Sequence, residues 1–569
     1  MYVESKKGKT RELWRFHGGL HVPDHKELSL HKPLQSLSLP KRLVLPLQQH
    51  IGAPAQALVK VGERVLKGQL IADSPAPVTA PLHAPTSGQV VEIGEHAIPH
   101  PSGLSDLCIV IEPDGQDEWA ALPEPITDFT AVDPDSLRRR IREAGIVGMG
   151  GATFPSAVKL NPGKPIKTLI INGAECEPYI TCDDRLMRDF TDKVMNGVRI
   201  LQHMLQSEEC LIAIEDNKPE AIHAMFQALR DEENIEVVRI PTLYPSGGEK
   251  QLIHILTGRE VPTSGLPAQI GVICHNVATA AAISDAVLEG RPLISRLVTL
   301  TGEGMREPGN YQVPIGILAH DLIEQAGGYR DQPRQLIMGG PMMGFDLTTD
   351  EVPITKGANC LLCPSETEMP EPEPARACIR CGRCADVCPA RLLPQQMYWY
   401  SRAKDLEKAQ DYNLFDCIEC GCCSHVCPSH IPLVQYFRYA KTESWAAEQE
   451  RRESERAKRR HEFRVARLER LEAERKARLR QKKEALDKKP AARKKPGPAA
   501  AGGASSDKDA KQAAIEAAMK RAAEKKAQQA QAPKNTQNLT PSQQRQIDAV
   551  NKRRKAAESK SQDQPEQPS

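Results

Sequence analysis

The pattern of apolar and polar positions changes along the chain. From about residue 43 to residue 93, short apolar runs are broken by glycine and proline, which predicts short strands joined by tight turns. From about residue 135 to residue 256, helical periods alternate with short apolar runs, a rhythm that favours βαβ units and a parallel sheet. After Pro432 a helical pattern continues to about Leu486. The pattern thus predicts a β domain, an α/β domain and a long helix.

Within the α/β region, helices are predicted at 136–144, 183–205 and 219–229, and strands at 168–172, 210–214 and 235–239. Ligands of parallel sheets lie beyond the carboxyl ends of the strands, so a nucleotide-type cofactor is expected there. Downstream, a strand at 297–302 and a helix at 317–326 indicate a small α+β, ubiquitin-like module.

The β region has a repeated half. The segments 59–65 and 85–91 resemble the paired hairpins of the biotinyl/lipoyl-like barrel-sandwich fold. Carrier domains of that fold keep a lysine at the hairpin tip between the halves, whereas the connecting stretch 76–83 has none. A structural barrel is therefore favoured over a swinging carrier arm.

The composition fits a protein of several domains. With 569 residues and 40% hydrophobic content, the chain can support three or four cores. The most apolar long stretch, 270–288, is interrupted by His275, Asn276 and Asp285. The N-terminus leads into polar sequence, so neither a membrane span nor a signal peptide is predicted.

Charge is concentrated near the C-terminus. Residues 451–489 hold 17 Lys and Arg against 8 Asp and Glu, a net charge of +9, while the whole chain has +2. A solvated helix and linker is the favoured interpretation; contact with anionic lipid headgroups is the alternative. Interleaved glutamates argue against nucleic-acid binding. Beyond residue 490, sequence rich in Ala, Lys, Gln and Pro is predicted to be disordered.

Two cysteine runs carry the strongest chemical signal. Each has the spacing C-x2-C-x2-C-x3-C-P, which is the run that holds a [4Fe-4S] cluster. In two-cluster ferredoxins the fourth cysteine of each run binds the other cluster. The predicted ligand sets are Cys378, Cys381, Cys384 and Cys427 for one cluster, and Cys388, Cys417, Cys420 and Cys423 for the second.

Other uses of these cysteines fit less well. A zinc site would use two C-x2-C pairs, and disulfide frameworks belong to small secreted domains. Cys422 lies beside Cys423 and is an alternative ligand. Cys360 and Cys363 precede the runs and are predicted to be buried small hydrophobic residues. Helical sequence at 396–409 separates the runs and predicts an α-helical ferredoxin.

A glycine-rich loop at 148–155 follows the first predicted helix of the α/β region. Glycines let backbone N–H groups close on a phosphate or a flat ring because no Cβ blocks the approach. Alone, such a loop is as well explained by a tight turn. It is followed in order by Lys159, by the segment N-G-A-E-C-E-P at 172–178 and by N-V-A-T at 276–279.

Together these segments resemble the flavin site of the flavoprotein subunit of respiratory complex I. The resemblance implies bound FMN, with NADH as a possible substrate. The flavin and its phosphate would be lined by Gly148, Gly150, Gly151 and Lys159. Asn172 would hydrogen-bond the flavin ring. The pocket would be completed by Glu175, Glu177 and Asn276.

One family combines all of these features. The segment F-x-G-G-x-H-x-P at 16–23, the barrel, the glycine loop, G-G-P-M-M-G at 339–344 and the two cysteine runs resemble the RnfC/RsxC family of the Rnf/Rsx electron-transport complex, over about residues 10–440. The resemblance implies a peripheral translocase subunit on the cytoplasmic face of an inner membrane. Such a subunit would relay electrons between NADH and ferredoxin, coupled to Na⁺ or H⁺ movement. Its expected partners are the other subunits of that complex.

Two alternatives stay open at this point. One is a soluble NADH/ferredoxin oxidoreductase without ion pumping, and the other is an adaptor whose clusters are structural. The expected fold class is multidomain α/β. The expected domains are a barrel-sandwich domain (1–120), a flavin-binding α/β domain (121–290), a soluble-ligand-binding β-grasp-like module (291–365), a 2×[4Fe-4S] ferredoxin domain (366–440), a charged helix (441–489) and a disordered tail (490–569).

Overall fold

A computed structural model describes residues 2–4, 10–229, 232–330 and 334–487, together with residues 517 and 520. The chain divides into two units, Met1–Arg460 and His461–Ser569, and the domains below belong to the first. The predicted disordered tail at 490–569 lies outside the described residues, apart from Ala517 and Lys520, and stays a prediction.

The strands, in chain order, are Tyr2–Glu4 (β1), Thr10–Glu12 (β2), Gln35–Ser36 (β3), Leu43–Pro46 (β4), Gln56–Ala57 (β5), Arg64–Val65 (β6), Leu70–Asp73 (β7), Leu82–His83 (β8), Gly88–Ala97 (β9), Ser105–Pro113 (β10), Thr168–Gly173 (β11), Glu209–Glu215 (β12), Ile235–Ile240 (β13), Val272–Asn276 (β14), Ser295–Thr301 (β15), Gly309–Pro314 (β16), Ile337–Met338 (β17), Phe345–Asp346 (β18) and Cys360–Leu362 (β19).

The α-helices are Glu27–Leu30 (α1), Pro134–Glu143 (α2), Ser156–Lys159 (α3), Cys182–Asp189 (α4), Thr191–Leu205 (α5), Pro219–Ala228 (α6), Glu249–Thr257 (α7), Val277–Leu288 (α8), Ala319–Gln325 (α9), Arg383–Asp386 (α10), Pro394–Arg402 (α11), Leu406–Asp411 (α12), Cys422–His425 (α13) and Leu433–Asp487 (α14). Within the described ranges, every helix is too short or too polar to cross a bilayer.

The N-terminal β domain consists of two small antiparallel sheets, with strand orders β4-β10-β9-β6 and β5-β7-β8. Inward-facing side chains such as Val65, Ile71 and Ile109 are fully buried between them. Five of the strands have two to four residues, as the glycine- and proline-broken pattern predicts, whereas β9 and β10 have 10 and 9 residues and pair with each other.

The α/β domain is built on a four-stranded parallel sheet of order β13-β12-β11-β14. Its central strand β11 is buried at Leu169, Ile170 and Ile171, because helices cover both faces of the sheet. Helices α5 and α8 cross closely at Gly197, where a Cβ would lie 1.8 Å from the Ala280 carbonyl oxygen.

The single helix predicted at 183–205 is wrong in one respect, because the structure has two helices there. The chain turns at Phe190, whose ψ is 36°, between α4 and α5. The Thr191 hydroxyl donates to the Met187 carbonyl at 2.6 Å and satisfies the end of α4. Because of this bend, α4 and α5 run in different directions although their apolar positions form one continuous sequence pattern.

The third region is a six-stranded mixed sheet of order β18-β17-β19-β15-β16-β3, packed against α9. Its edge strand β3 comes from the N-terminal segment, and β19 inserts between β17 and β15, which the sequence pattern did not predict. Cys360 and Cys363 are buried in this region, as predicted.

In the cysteine-rich region, residues 366–440, the structure is described without gaps: an irregular segment to residue 382 precedes the helices α10, α11, α12, α13 and the start of α14. The helix predicted at 396–409 is divided into α11 and α12 by a turn at Lys404, whose φ is +59°. Met397, Leu414 and Phe437 form the core between the helices. The prediction of an α-helical ferredoxin agrees with this arrangement.

Candidate functional site

Two pockets in the helical region are lined by cysteines. One, of about 400 Å³, is bordered by Cys378, Cys381, Cys384 and Cys427. The other, of about 350 Å³, is bordered by Cys388, Cys417, Cys420, Cys422 and Cys423. We call them the outer pocket and the inner pocket. The structure thus groups the cysteines as their spacing predicts, with the fourth cysteine of each run in the other run's pocket.

The two runs share one backbone conformation. Arg380, Gly382 and Arg391 in the first run have positive φ, and so do Glu419, Gly421 and His430, each 39 residues later. This repeated left-handed geometry bends each loop around its pocket and turns backbone N–H groups inward. The Glu419 N–H lies 3.4 Å from the Cys417 sulfur, and the Leu392 N–H lies 3.4 Å from the Cys388 sulfur.

The residues present fit iron–sulfur centres. All sixteen cysteines of the chain lie in described positions and are free thiols, so no disulfide competes for the eight in the runs. Burial raises the pKa of Cys417 to about 12, so this thiol ionises near neutral pH only beside a bound cation. Four inward thiols around a small, mostly apolar pocket are the donor set that a [4Fe-4S] cluster requires.

Cys422 is a partial exception to the grouping. It is fully buried in the inner pocket, and its thiol is hydrogen-bonded with Cys420, which together with burial raises the pKa of Cys422. Cys423 instead packs in the same apolar core as Cys388. Both residues border the pocket, so the choice between them stays with the C-x2-C spacing.

The glycine loop lies between α2 and α3, beside the carboxyl end of the parallel sheet. The Gly148 N–H donates to the Phe154 carbonyl at 2.8 Å, and the Met149 N–H donates to the Thr279 hydroxyl at 2.9 Å. Gly151 has a φ of +111° and nothing within 4 Å of its Cβ position. The loop therefore leaves an open cradle that a side chain at 151 would enter, as a flavin or phosphate site requires.

Two asparagines predicted for the site end neighbouring parallel strands. Asn276 ends β14, caps α8 by accepting from the Ala278 N–H at 2.8 Å, and donates to Asp183 at 2.6 Å. Its Cβ lies 3.2 Å from the Cβ position of Gly150. Asn172 in β11 donates to the Gly247 carbonyl at 2.9 Å. Both side chains lie at the sheet edge where ligands of parallel sheets bind.

Lys159 lies in α3, at the end of the glycine loop. Its ammonium group is 2.5 Å from a carboxylate oxygen of Glu249, the first residue of α7. The buried His275 beside it has an unpaired Nε2, and burial together with Lys159 lowers the pKa of His275 to about 3. The imidazole is therefore neutral, and Lys159 is the cation of this corner of the site.

Glu175 and Glu177 have partners away from the glycine loop. The Glu175 carboxylate accepts from the Asp183 and Asp184 N–H groups at 2.6 and 3.2 Å and so caps α4. Burial raises the pKa of Glu175 to about 8, against the opposing effect of Lys26. The Glu177 carboxylate accepts from the N–H groups of Met342 and Met343 at 2.7 and 2.9 Å.

Several contributors were not predicted from the sequence. Lys26 is fully buried, and its ammonium group donates to the carbonyls of Glu175 at 2.9 Å and Glu177 at 3.1 Å. Glu215 and Lys218 form a fully buried ion pair at 3.0 Å. Glu215 directly follows the strand predicted at 210–214 and ends the observed strand β12, which was a usable signal; nothing in the pattern around Lys26 marks that residue.

The N-terminal segment packs against the cysteine-rich region. Gly18 has a φ of +68°, and a Cβ there would lie 2.4 Å from the backbone carbon of Val387. The Gly19 N–H donates to the Val387 carbonyl at 3.0 Å, and His17 Nδ1 lies 3.0 Å from the Cys388 carbonyl oxygen. The sequence motif at 16–23 is therefore a close contact with the ferredoxin domain.

A short segment connects the glycine-loop site with the inner pocket. The Tyr244 hydroxyl donates to the Cys420 carbonyl at 2.7 Å. Three residues later, the Gly247 carbonyl accepts from Asn172, and its N–H lies 3.2 Å from the Cys176 sulfur. The segment 244–247 thus contacts a predicted flavin residue and a predicted cluster ligand.

Comparison with known families assigns the domains. The RnfC barrel sandwich hybrid domain matches residues 14–116, and the Nuo51 FMN-binding domain matches residues 141–285. The SLBB domain matches residues 297–346, and the 4Fe-4S dicluster domain matches residues 377–431. The barrel-sandwich, flavin and iron–sulfur predictions are thereby confirmed.

Relatives that match most of the chain belong to the same kind of protein. The chain is 48% identical over 507 residues to the RnfC protein of the ion-translocating oxidoreductase complex of Pectobacterium atrosepticum, covering 89% of this chain and 70% of that protein. It is 50% identical over 471 residues to the RnfC protein of Yersinia pestis, covering 83% and 76%. The chain belongs to the RnfC family. The RnfC protein of Pectobacterium carotovorum is longer, and the match covers 66% of it.

Membership in the RnfC family confirms the resemblance found in the sequence. The chain is a mixed α/β electron-transfer protein with an FMN-binding domain and a 4Fe-4S dicluster domain. Among solved structures, an NAD⁺-reducing [NiFe]-hydrogenase in the H₂-reduced state matches 53% of this chain and 62% of its own, with a TM-score of 0.40 and 19% identity.

Proposed function

We propose that this chain is the peripheral electron-input subunit of a membrane-bound complex that couples electron transfer between NADH and ferredoxin to translocation of Na⁺ or H⁺. One observation carries the proposal: Asn172 and Cys420 both bond the segment 244–247, which links the glycine-loop site to a four-cysteine pocket. Membership in the ion-translocating RnfC family supports the coupling to ion movement.

The glycine-loop site would hold FMN. Bound FMN supplies hydride chemistry, taking two electrons together and giving them up singly. The backbone of Gly148, Gly150 and Gly151 would face the flavin, and Lys159 would neutralise its phosphate, where Glu249 is now 2.5 Å away. Asn172 and Asn276 would bond the flavin at the strand ends.

The two glutamates would shape this site rather than contact the flavin. Glu175 keeps α4 in place beside the site, and Glu177 fixes the loop 339–344. Lys26 ties both glutamate backbones to the N-terminal segment. In this proposal the two glutamates position neighbouring segments, in place of the predicted role of completing the flavin pocket.

The cysteine pockets would hold the two clusters with the ligand sets predicted from spacing. Cys388, Cys417, Cys420 and Cys423 would hold the inner cluster, which lies next to Tyr244. Cys378, Cys381, Cys384 and Cys427 would hold the outer cluster. Electrons between the flavin site and a partner would therefore pass the inner pocket first and the outer pocket second.

The proposed domain layout keeps the predicted boundaries of 1–120, 121–290, 291–365, 366–440 and 441–489. The third of these would be a β-grasp, ubiquitin-like module, supported by the sheet of β15, β16, β17 and β19 packed on α9. The partners would be the integral and peripheral subunits of an Rnf/Rsx-type complex, on the cytoplasmic side of the inner membrane.

Anaerobic purification of the full chain, followed by iron, sulfide and flavin analysis, tests the cofactor content. About eight iron atoms and one FMN per chain are expected. Zinc in place of iron, or no low-temperature EPR signal after reduction by NADH, would overturn the proposal.

A matched pair of variants tests the flavin site. Gly151→Val should lose FMN and keep the iron, because its side chain would enter the open cradle at a φ of +111°. Gly163→Val is the control: it has a φ of +63° and equally open surroundings, but lies outside the loop, and should keep both cofactors. Equal flavin loss in both variants would remove the glycine loop from the site.

A further inference from the structure

We propose that the loop 379–383 at the outer pocket is the docking surface for an acidic electron-transfer protein that brings its own one-electron cofactor to Cys381. This inference rests on the proposed function and identifies the kind of partner it requires. The loop 379–383 is called the outer loop, and its counterpart 418–422, at the inner pocket, is called the inner loop.

The inner loop is covered by the rest of the chain. Cys420 is 7% exposed and accepts from Tyr244, and Gly421 lies so close to Met342 that a Cβ would be 2.6 Å from its carbonyl oxygen. The charge at Glu419 is balanced by Arg438 at 3.0 Å and Lys441 at 2.7 Å. The backbone and the charged side chain of the inner loop thus have partners within the chain.

The outer loop has the same backbone and few such partners. Ile379 is 68% exposed, and Cys381 is also exposed. At the position of Glu419 stands Arg380, and at the position of Cys422 stands Arg383. Among the residues that the structure describes, neither arginine has a carboxylate within 4.0 Å, whereas Arg376 nearby pairs with Glu373. Two free guanidinium groups and an apolar residue surround an exposed cluster cysteine.

The chemistry of this surface favours an acidic partner. Unpaired arginines, which make planar two-point bonds to carboxylates, are enriched at protein interfaces, as are exposed apolar anchors beside them. Opposite charge also speeds diffusional encounter between redox proteins, which form small transient interfaces. A lipid surface would attract the same charge, but it brings no electron acceptor to Cys381, so a protein is the occupant that this placement fits.

The step at this surface is a single-electron exchange. Cys378, Cys381, Cys384 and Cys427 would hold a one-electron centre, which would supply one electron for each electron that the partner's oxidised carrier accepts. No bond forms or breaks, and no proton is required. The co-reactant is therefore any acidic protein with an exposed one-electron cofactor of suitable potential.

The test is a charge reversal in the full, anaerobically loaded chain. The double variant R380E/R383E should fold, since a glutamate already stands at 419 with the same φ of 57° as Arg380. Arg383 begins α10, where an acidic side chain is favoured by the helix dipole. The control R139E/R306E changes the same charge at two exposed arginines outside the ferredoxin domain.

Two probe proteins are used: a plant-type [2Fe-2S] ferredoxin, which is acidic, and a basic c-type cytochrome. Binding is measured by sedimentation and electron exchange by stopped flow, from about 0.05 to 0.5 M salt. R380E/R383E should weaken ferredoxin binding and slow its exchange about tenfold at low salt, while cytochrome exchange speeds up. The control variant should match the wild type with both probes.

Three outcomes would overturn the inference. Ferredoxin binding could be unchanged in R380E/R383E, the control could lose as much as the test variant, or the variant could lose binding only to phosphatidylserine vesicles, which would assign the loop to lipid. Iron, flavin and reduction by NADH are measured on the same samples. A wild-type chain without iron, flavin or reduction by NADH would contradict the proposed function, whereas a loaded chain with unchanged ferredoxin binding in R380E/R383E would contradict only the docking surface.

Discussion

The inner and outer loops of the ferredoxin domain share a backbone and differ in what surrounds them. The inner loop is held by Tyr244, Met342 and two cations, whereas the outer loop presents Arg380 and Arg383 to solvent. A duplicated cluster motif has thus been specialised at its surface, with its cysteine spacing unchanged. One copy serves contacts inside the chain and the other is open for contacts outside it.

The largest effect should come from removing one ligand from each pocket. Cys420→Ser and Cys381→Ser should each lower the iron content from about eight to about four atoms per chain. Only Cys420→Ser should also abolish reduction of the remaining cluster by NADH, since that cluster lies beyond the missing one. Freeze-quench EPR measures this, and a block in Cys381→Ser alone would reverse the order of the pockets.

After removal of iron, the outer loop should become more mobile than the inner loop. In chelated protein, amides of the outer loop should exchange at least about 100-fold faster than those of the inner loop, because Tyr244 and Met342 still hold the latter. Hydrogen exchange read by mass spectrometry reports each loop separately. Similar exchange in both loops would mean that the metal, and not the covering contacts, orders the inner loop.

Lys441, which lies beneath the inner loop, should stabilise the protein more than Arg402, the residue at the equivalent position 39 residues earlier. Lys441 is 8% exposed and donates to the Cys417 carbonyl at 2.6 Å and to Glu419 at 2.7 Å, so Lys441→Met should cost about 2 kcal/mol. Arg402, 39 residues earlier, is exposed, and Arg402→Met should cost under about 0.5 kcal/mol. Thermal unfolding of the loaded proteins compares them, and equal losses would contradict the comparison.

The smallest effect should come from Tyr244→Phe, which removes one hydroxyl and keeps the ring. The loss of its bond to the Cys420 carbonyl should cost about 1 kcal/mol and make the inner cluster's midpoint potential more negative, because the hydroxyl dipole favours added negative charge. EPR-monitored redox titration distinguishes the clusters. Tyr311→Phe, which loses a 2.7 Å bond to the Glu307 carbonyl in the six-stranded mixed sheet, is the control and should shift the potential of neither cluster.

Sequence motifs predicted the parts of the site that are local in sequence. The cysteine pockets follow from the spacing of two identical runs, whereas the glycine loop, Asn172 and Asn276 were singled out by the resemblance to the flavoprotein subunit of complex I. The break at Phe190 was missed because both helices continue one apolar period, and a bend changes direction without changing that period.

The parts that were not predicted depend on contacts between distant segments. Lys26 is buried by residues about 150 positions later, and β3 joins β16 from almost 280 residues away. Glu175 and Glu177 were singled out by the family resemblance, but their partners, α4 and Met342, depend on contacts between distant segments. No local pattern carries such information.

The N-terminal segment around Gly18 has a consequence for biosynthesis. It packs against Val387, so this contact can form only after about 370 further residues have been made. Until then the surface around Gly18 lacks that neighbour while the intervening domains fold. Bulk added beside Gly18 would therefore stand at a contact that forms late in synthesis.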